Sequence, residues 1–455
     1  MVHSLTNILK IEDLRKKILI TLSLIFIFRM GCFIPTPGID ARALSDFFKE
    51  VAEKQGATLF GFINIFTGGA LKRLSVFALG VMPYISASII MQLLTAVIPA
   101  LERISKEGKA GYEKINQFTR YGTVLICLVQ GFFLSSWLAN IGRSSGGFFN
   151  TPIVPAPGII FTITTIVTLT SGTIFIMWLG EQIQERGIGN GISLIICASI
   201  LSRLPESLYQ LWVLYSPFNP AQRQISTFTI VSLLVLWFLV IVAVVLFSQA
   251  QRRIPVQAGR RVVGRKVYGG QSTYLPIKID TSGVIAIIFA SSVLLFPSTL
   301  GTFFPKATFL NKILTQFTRS EGLWYNLVYI LLIIFFMYFY TAIVFNPVEI
   351  ANNFKKYGRF VPGIRPGENT AKYLDHVATR LVFAGTLYIS TIAILPTLIM
   401  KTFKIPSQAI ASFFGGTTML IFVGVMLDTM RQIESQLLLH HYQGFMKKGK
   451  LKGRR

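Results

Sequence analysis

Charge is scarce in this 455-residue chain: Asp, Glu, Lys and Arg together make up 14% of it, against 52% hydrophobic residues and a mean hydropathy of +0.59. A globule of this size needs more polar surface than that to face water, so a soluble fold is excluded. Acidic residues are scarcer still, with 19 Asp and Glu against 44 Lys and Arg. That imbalance points to contact with anionic surfaces such as lipid headgroups, nucleic acid or an acidic partner. The three cysteines, Cys32, Cys127 and Cys197, are far apart and lie in apolar stretches, and the four histidines show no ligand spacing. Neither a disulfide framework nor a metal centre is expected, and the cysteines read as small packing residues.

Enzyme signatures are also missing. The chain has no phosphate-binding glycine loop, no HExxH pair and no nucleophile elbow. Gly187, Gly189 and Gly191 in RGIGNGIS do not follow a strand, so they read as a closely packed helix entry rather than a dinucleotide fingerprint. No catalytic site and no cofactor are expected. Carboxylates inside apolar runs are few, which counts against ion-coupled transport, because a proton or sodium relay requires them; Glu181, Glu185 and Asp428 fall near span ends.

Long apolar runs dominate what is present. A spanning helix needs about 20 mostly apolar residues, because every backbone amide in hydrocarbon must be satisfied within the helix. Ten stretches qualify: 18–34, 76–101, 121–138, 159–179, 188–204, 228–247, 284–300, 323–345, 381–399 and 410–430. The first follows a basic start but lacks a small-residue cleavage site, so it reads as a retained span. With the N-terminus on the cytoplasmic side, that side collects 30 of the Lys and Arg residues and the opposite side 13, with Arg29 inside a span. An even span count returns the basic tail to the same side.

The expected class is therefore an all-α polytopic membrane protein of ten transmembrane helices. It divides into a cytoplasmic amphipathic start (1–17), a first five-span half (18–204), an external linker (205–227), a second five-span half (228–430) and a basic cytoplasmic tail (431–455). Halves with an odd number of spans enter the membrane in opposite senses, so pseudo-symmetric inverted halves are expected. Within the first half, 57–75 is apolar but too short and interrupted to cross, with Gly68 and Gly69 as a flexible break. It reads as a re-entrant or pore-plugging segment, the alternative being an interfacial helix. The long basic loops 248–279 and 346–379 read as docking surfaces, although the positive-inside bias alone also places Lys and Arg there.

Several segments resemble, in order, the SecY family of bacterial-type protein-conducting channels. They are FIPTPGID (33–40), NIFTGGALKRLSVFALGVMPYISASIIMQLL (64–94), GEQIQERGIGNGISLII (180–196), RRVVGRKVYGGQSTYLPIKID (260–280), FNPVEIANNFKKYGRFVPGIRPGENTAKYLD (345–375) and FGGTTML (414–420). The resemblance implies an hourglass pore between the two halves that opens across the membrane and sideways into lipid. It places Val81, Ile85, Ile196, Ile288 and Ile421 in an aliphatic pore ring and Asn64, Phe66, Gly68 and Gly69 in the plug. It sets a lateral seam between the second and third spans and the seventh and eighth, where Ser86, Gln92, Gln130, Ser291, Ser292 and Phe296 lie. The polar members of that set are suited to hydrogen bonds across a closed seam, with ordinary interhelical packing as the alternative. It assigns Arg260, Arg261, Arg265, Lys266, Arg359 and Arg365 to docking of a SecA motor ATPase or a ribosome.

Partners implied by the resemblance are SecE-like and SecG-like small membrane subunits, signal sequences, unfolded preproteins and membrane lipid. The implied location is a bacterial inner membrane, with a thylakoid membrane as the alternative. One departure stands out: the family commonly has proline where this chain has Ala286. The rival reading from another class is an inverted-repeat secondary transporter, which requires a polar substrate site at mid-membrane and coupling carboxylates. A purely structural scaffold would leave the plug-like segment without a role.

Overall fold

A computed structural model describes residues 11–47, 67–144, 154–215, 225–258, 261–263, 266–268, 272–280, 285–303, 322–403, 410, 413–414 and 416–448. The helices are α1 Glu12–Gly31, α2 Met82–Val97, α3 Pro99–Ser105, α4 Lys109–Ser144, α5 Ile159–Arg186, α6 Gly191–Leu201, α7 Leu204–Tyr215, α8 Thr227–Gln249, α9 Ile285–Phe303, α10 Leu323–Val344, α11 Pro347–Lys356, α12 Glu368–Phe403 and α13 Thr417–Lys448. Every one of the ten expected spans contains a helix. Six helical stretches among the described residues are long and apolar enough to cross a membrane, and a seventh is counted if the bent pair α2 and α3 is one span. The other three expected spans meet that description less fully. Arg15, Lys16, Lys17 and Arg29 interrupt α1, and Asp428, Arg431 and Glu434 interrupt α13. In α9 the described apolar part is Ile285–Leu294.

Helix ends follow local chemistry. The expected second span begins later than its hydropathy suggests, at Met82, because Gly80 takes φ +59° and Pro83 is suited to a first helical turn. It also ends early, because Pro99 starts α3 after a 105° bend. Asn190 caps α6 by accepting from Ser193 N at 3.3 Å, and Ser226 caps α8 by accepting from Thr229 N at 3.3 Å. Gly191 reads as tight packing in the sequence, and it is tight: a Cβ there would overlap the Gly180 carbonyl of α5.

The chain is not purely helical. The first basic loop folds as β1 Gln251–Ala258, β2 Arg261–Val263, β3 Lys266–Tyr268 and β4 Ser272–Lys278, and β5 Arg359–Phe360 comes from the second. The order β4-β1-β5 is antiparallel throughout, with Ile254 opposite Leu275 and Gln257 opposite Phe360. The two expected docking loops thus meet in one three-stranded sheet, while β2 and β3 pair as a separate two-stranded one. Its inner face packs Ile254 and Ile277 with Val361, Leu374 and Val377. The tail expected from 431 onward continues as α13 to Lys448. Ala286 is buried at the start of the described part of α9.

The main core gathers α1, α2, α5, α6, α8, α9, α10, α12 and α13 around one cluster of buried aliphatic and aromatic side chains. Outside it the surface stays apolar, with Phe228 80%, Ile160 83% and Leu323 75% exposed. That is the surface of a protein solvated by lipid.

Candidate functional site

Three helices build the central cavity, and each does so in two tiers. On α6, Asn190 and Ser193 precede Ile196; before and on α9, Lys278 and Asp280 precede Ile285 and Ile288; on α13, Ile421 is followed by Val425, Asp428 and Arg431. All of these residues line one cavity of about 240 Å³. At a rise of about 1.5 Å per residue, Ile421 and Asp428 are separated by about 10 Å along α13. The polar tier therefore stands about two helical turns from an isoleucine floor.

The floor is sealed. Ile196 is 3% exposed and Ile421 1%, and both belong to the main core cluster together with Val81 and Ile85, while Ile288 packs against that cluster half-buried. All five expected ring residues are thus brought into one apolar assembly. Ile196, Ile288 and Ile421 face the cavity; Val81 and Ile85 are packed behind them and do not line it. A narrow space walled by branched aliphatic side chains offers water no hydrogen-bond partner, so it empties and stops ions, yet it has no fixed polar partner to resist a passing chain.

Residues 67–75 approach α6 at Ser199, one turn beyond Ile196. Ala70 is fully buried in the same cluster as the isoleucines, and Leu71 and Leu74 are buried in a neighbouring cluster with Ala43, Leu44 and Leu138. Gly68 (φ +62°) and Gly69 (φ +89°) form turns that most other residues would resist, so the glycine pair shapes the turn rather than loosening it. Ser75 bridges Pro35, while Thr36 donates to the Leu74 carbonyl through its backbone N at 2.9 Å and its Oγ1 at 2.7 Å. Asn64 and Phe66 lie outside the described residues.

Along the expected seam α2 packs against α9, and α2 also packs against α4. Its polar groups do not reach across. Ser291 Oγ donates to the Ile287 carbonyl at 2.9 Å, Ser292 Oγ to the Ile288 carbonyl at 2.7 Å, and Gln92 Nε2 to Ser88 Oγ at 3.2 Å, each within its own helix. Serine in an apolar helix finds its nearest acceptor one turn back, which satisfies it locally. Ser86 and Gln130 are half-buried on α2 and α4, and the Phe296 side chain lies outside the described residues.

In the separate β2–β3 hairpin, Arg261 pairs with Tyr268 and Lys266 with Val263, and Arg260 and Arg265 lie outside the described residues. Arg359 sits opposite Ala258, and Arg365 is exposed in the turn before α12, its carbonyl accepting from Thr370 Oγ1 at 2.9 Å.

The sequence reading overlooked three features. Lys278, Asp280 and Arg431 at the cavity mouth look like ordinary loop and tail charges. Gln432 Oε1 accepts from Gly189 N at 2.8 Å and Thr21 Oγ1 from Ile188 N at 3.0 Å, tying the RGIGNG turn to α13 and α1. Around 67–75, Arg29, Lys72, Arg203 and Glu206 come together from distant positions; only Arg29, a charge inside an apolar run, had given a signal.

A sequence model of the SecY family matches residues 75–430. The chain is 43% identical over 449 residues to the protein translocase subunit SecY of Aquifex aeolicus, covering 98% of this chain and all of that one. It is 44% identical to the protein translocase subunit SecY of Escherichia coli K12, covering 97% and 96%. Among solved structures, a protein-conducting channel matches with TM-score 0.63 at 17% identity, covering 93% and 92%. Sec61 in the canine ribosome–channel complex matches with TM-score 0.60 at 16% identity, with the same coverage. Those likenesses extend the same fold across nearly the whole length, and the sequence identity carries the assignment: this chain belongs to the SecY family.

Proposed function

We infer that this multi-pass membrane protein is the pore-forming subunit of a protein translocase. It conducts unfolded secretory polypeptides across the membrane and releases apolar segments sideways into lipid. The observation that carries the reading is the two-tiered cavity, a polar mouth above a floor of isoleucine side chains. It occurs in a chain matched end to end by curated translocase subunits.

In the resting state the collar of Val81, Ile85, Ile196, Ile288 and Ile421 excludes water, and the segment containing Gly68 and Gly69 closes it from the far side. An arriving chain wets the mouth, displaces the segment and is gripped loosely by aliphatic side chains that bind no sequence in particular. A sufficiently apolar stretch partitions between α2 and α9, because lipid beyond them solvates it better than the cavity does. Weak local hydrogen bonds at that seam suit a contact that must part. Ser86, Gln92, Gln130, Ser291, Ser292 and Phe296 remain our candidates for lining it.

The collar supplies no energy. A SecA-like motor or a translating ribosome supplies it, docking on the two basic loops through Arg260, Arg261, Arg265, Lys266, Arg359 and Arg365; the paired donors of the arginines suit carboxylates and RNA phosphates. SecE-like and SecG-like subunits complete the assembly in a bacterial inner membrane with both termini cytoplasmic. The transporter alternative lacks support, because Asp280 and Asp428, the carboxylates that line the cavity, share its polar tier with Lys278 and Arg431. Reconstitution with a SecE-like partner and a motor ATPase, followed by protease protection of a secretory precursor, tests the reading. Protected precursor is expected, and its absence overturns the assignment.

A further inference from the structure

Arg29 is the one charge placed well inside the first apolar run, and such a cation calls for a partner. Its Nη1 donates to the Gly68 carbonyl at 3.2 Å, in the segment that closes the collar. The approach is close: a Cβ on Gly68 would stand 2.8 Å from that Nη1 and 3.1 Å from Ser199 Cα of α6. Four residues later, Lys72 Nζ reaches Glu206 Oε1 on α7 at 3.2 Å. Glu206 also faces Arg203, whose Nε lies 3.8 Å from Oε2 and whose side chain is only 12% exposed. That Nε has no hydrogen-bond partner, so Glu206 is the nearby charge that compensates a nearly buried guanidinium. Arg73, next in the segment, lies over the Phe33 ring at 4.6 Å, and Arg29 lies over the same ring at 5.4 Å.

We propose that these contacts form a two-point latch: Arg29 on the Gly68 carbonyl and Glu206 on Lys72 hold the closing segment against α1 and α7, and Glu206 is the positioning residue on which release turns. The inference rests on the reading of 57–75 as the plug. The two ties act on different things. Arg29 holds backbone, so it fixes the glycine turn whatever side chains surround it. Glu206 holds a single flexible lysine at a half-exposed site, where an ion pair is weak and readily exchanged. A chain entering the pore therefore meets one labile side-chain contact first, and once that has parted the single hydrogen bond from Arg29 to the Gly68 carbonyl is the tie left to break. Once Lys72 leaves, Glu206 can turn fully to Arg203, so the carboxylate has a partner in both states and the displaced state is not penalised by an unpaired buried charge.

The test measures resting ion flux through the reconstituted channel, assembled with its small subunits, for four variants beside the parent. Lys72→Glu and Glu206→Lys each place like charges together, and each is expected to raise resting flux about fivefold. The double exchange K72E/E206K restores that pair but sets a cation beside Arg203, so flux is expected to fall below that of either single variant without reaching the parent; a double exchange as leaky as the singles overturns the latch. A fourth variant lacks 57–71 and tests the plug reading itself. A leaking deletion with tight single reversals overturns the latch and leaves the plug standing. A tight deletion overturns the plug reading. As a readout independent of stability, bridging K72C/E206C with a bifunctional thiol reagent that contains a reducible spacer is expected to halt precursor translocation reversibly, with recovery on reduction. Unchanged translocation through the crosslinked channel also overturns the latch.

Discussion

Substituting Ile421→Asn is the sharpest perturbation of the proposed collar. Ile421 is 1% exposed, faces the cavity beside Ile196 and Ile288, and backs onto the cluster that holds Val81 and Ile85. Burying an isoleucine side chain contributes about 1.5–3 kcal/mol. Leaving a buried amide unsatisfied costs about 1–3 kcal/mol. Both terms penalise the dry state, but the adjoining cavity lets water reach the new amide and holds the second term at its lower end. Part of the first also survives in the wetted state, where Ile421 still touches its helix neighbours. The net shift toward the wetted collar is about 2 kcal/mol, or roughly thirtyfold in the dry-to-wet equilibrium. The assay is resting anion flux in proteoliposomes, with export of a precursor carrying a weakened signal sequence as a second readout. Flux should rise by about that factor and the weakened signal should be accepted more readily. Ile421→Val, which keeps the collar apolar and costs about 0.5–1.5 kcal/mol, should raise flux only a few fold. Flux and stringency unchanged in a folded Asn variant would refute the collar.

Gly191→Ala drives a methyl into the Gly180 carbonyl, and with no flexible side chain there to yield it should cost roughly 1–3 kcal/mol, read as a lower unfolding temperature in detergent. Arg365→Glu reverses an exposed charge with no packing role, so motor-driven export should fall severalfold while the assembled channel accumulates normally; a normal export rate refutes docking there. Ser291→Ala and Ser292→Ala remove hydroxyls that bond only their own helix, so each should change stability by less than about 0.6 kcal/mol and leave signal selection as it was. A large effect on selection would mean that these hydroxyls act across the seam.

Legibility tracked the kind of force involved. The spans were readable because burial in lipid demands a long apolar run, which is a property of consecutive residues: 227–249, for example, carries no charge at all. The isoleucine collar was readable only through the family resemblance. An isoleucine facing a pore and one facing lipid are the same letter, and only the fold separates Ile288, at the cavity, from Ile160, on the surface. The sheet was missed although RRIPVQ alternates inward and outward, because Pro255 argues against a strand. It is tolerated because β5 covers β1 only at Gln257 and Ala258, leaving Pro255 in an edge-like position on that side. The contacts of Arg29 with Gly68 and of Lys72 with Glu206 join positions far apart in the chain, and no local pattern encodes such a pair.

The joined sheet also bears on how force enters the pore. β4 ends at Lys278, and Lys278 and Asp280 already line the cavity mouth; ten residues after Lys278 comes Ile288 on α9. The same sheet is tied through β5 to α11 and α12, and α12 packs on α10, which packs on α9. A partner seated on the basic edge would therefore act on α9 by two routes, one along the chain and one through packed helices. Both end on the helix that carries Ile288 on one side and meets α2 on another. An apolar collar resists opening equally from either side of the membrane, so direction has to be imposed from outside it. On the proposed reading, a partner docked on the sheet that runs into α9 would impose that direction at the mouth, so that pore wetting and seam opening would answer to the same push.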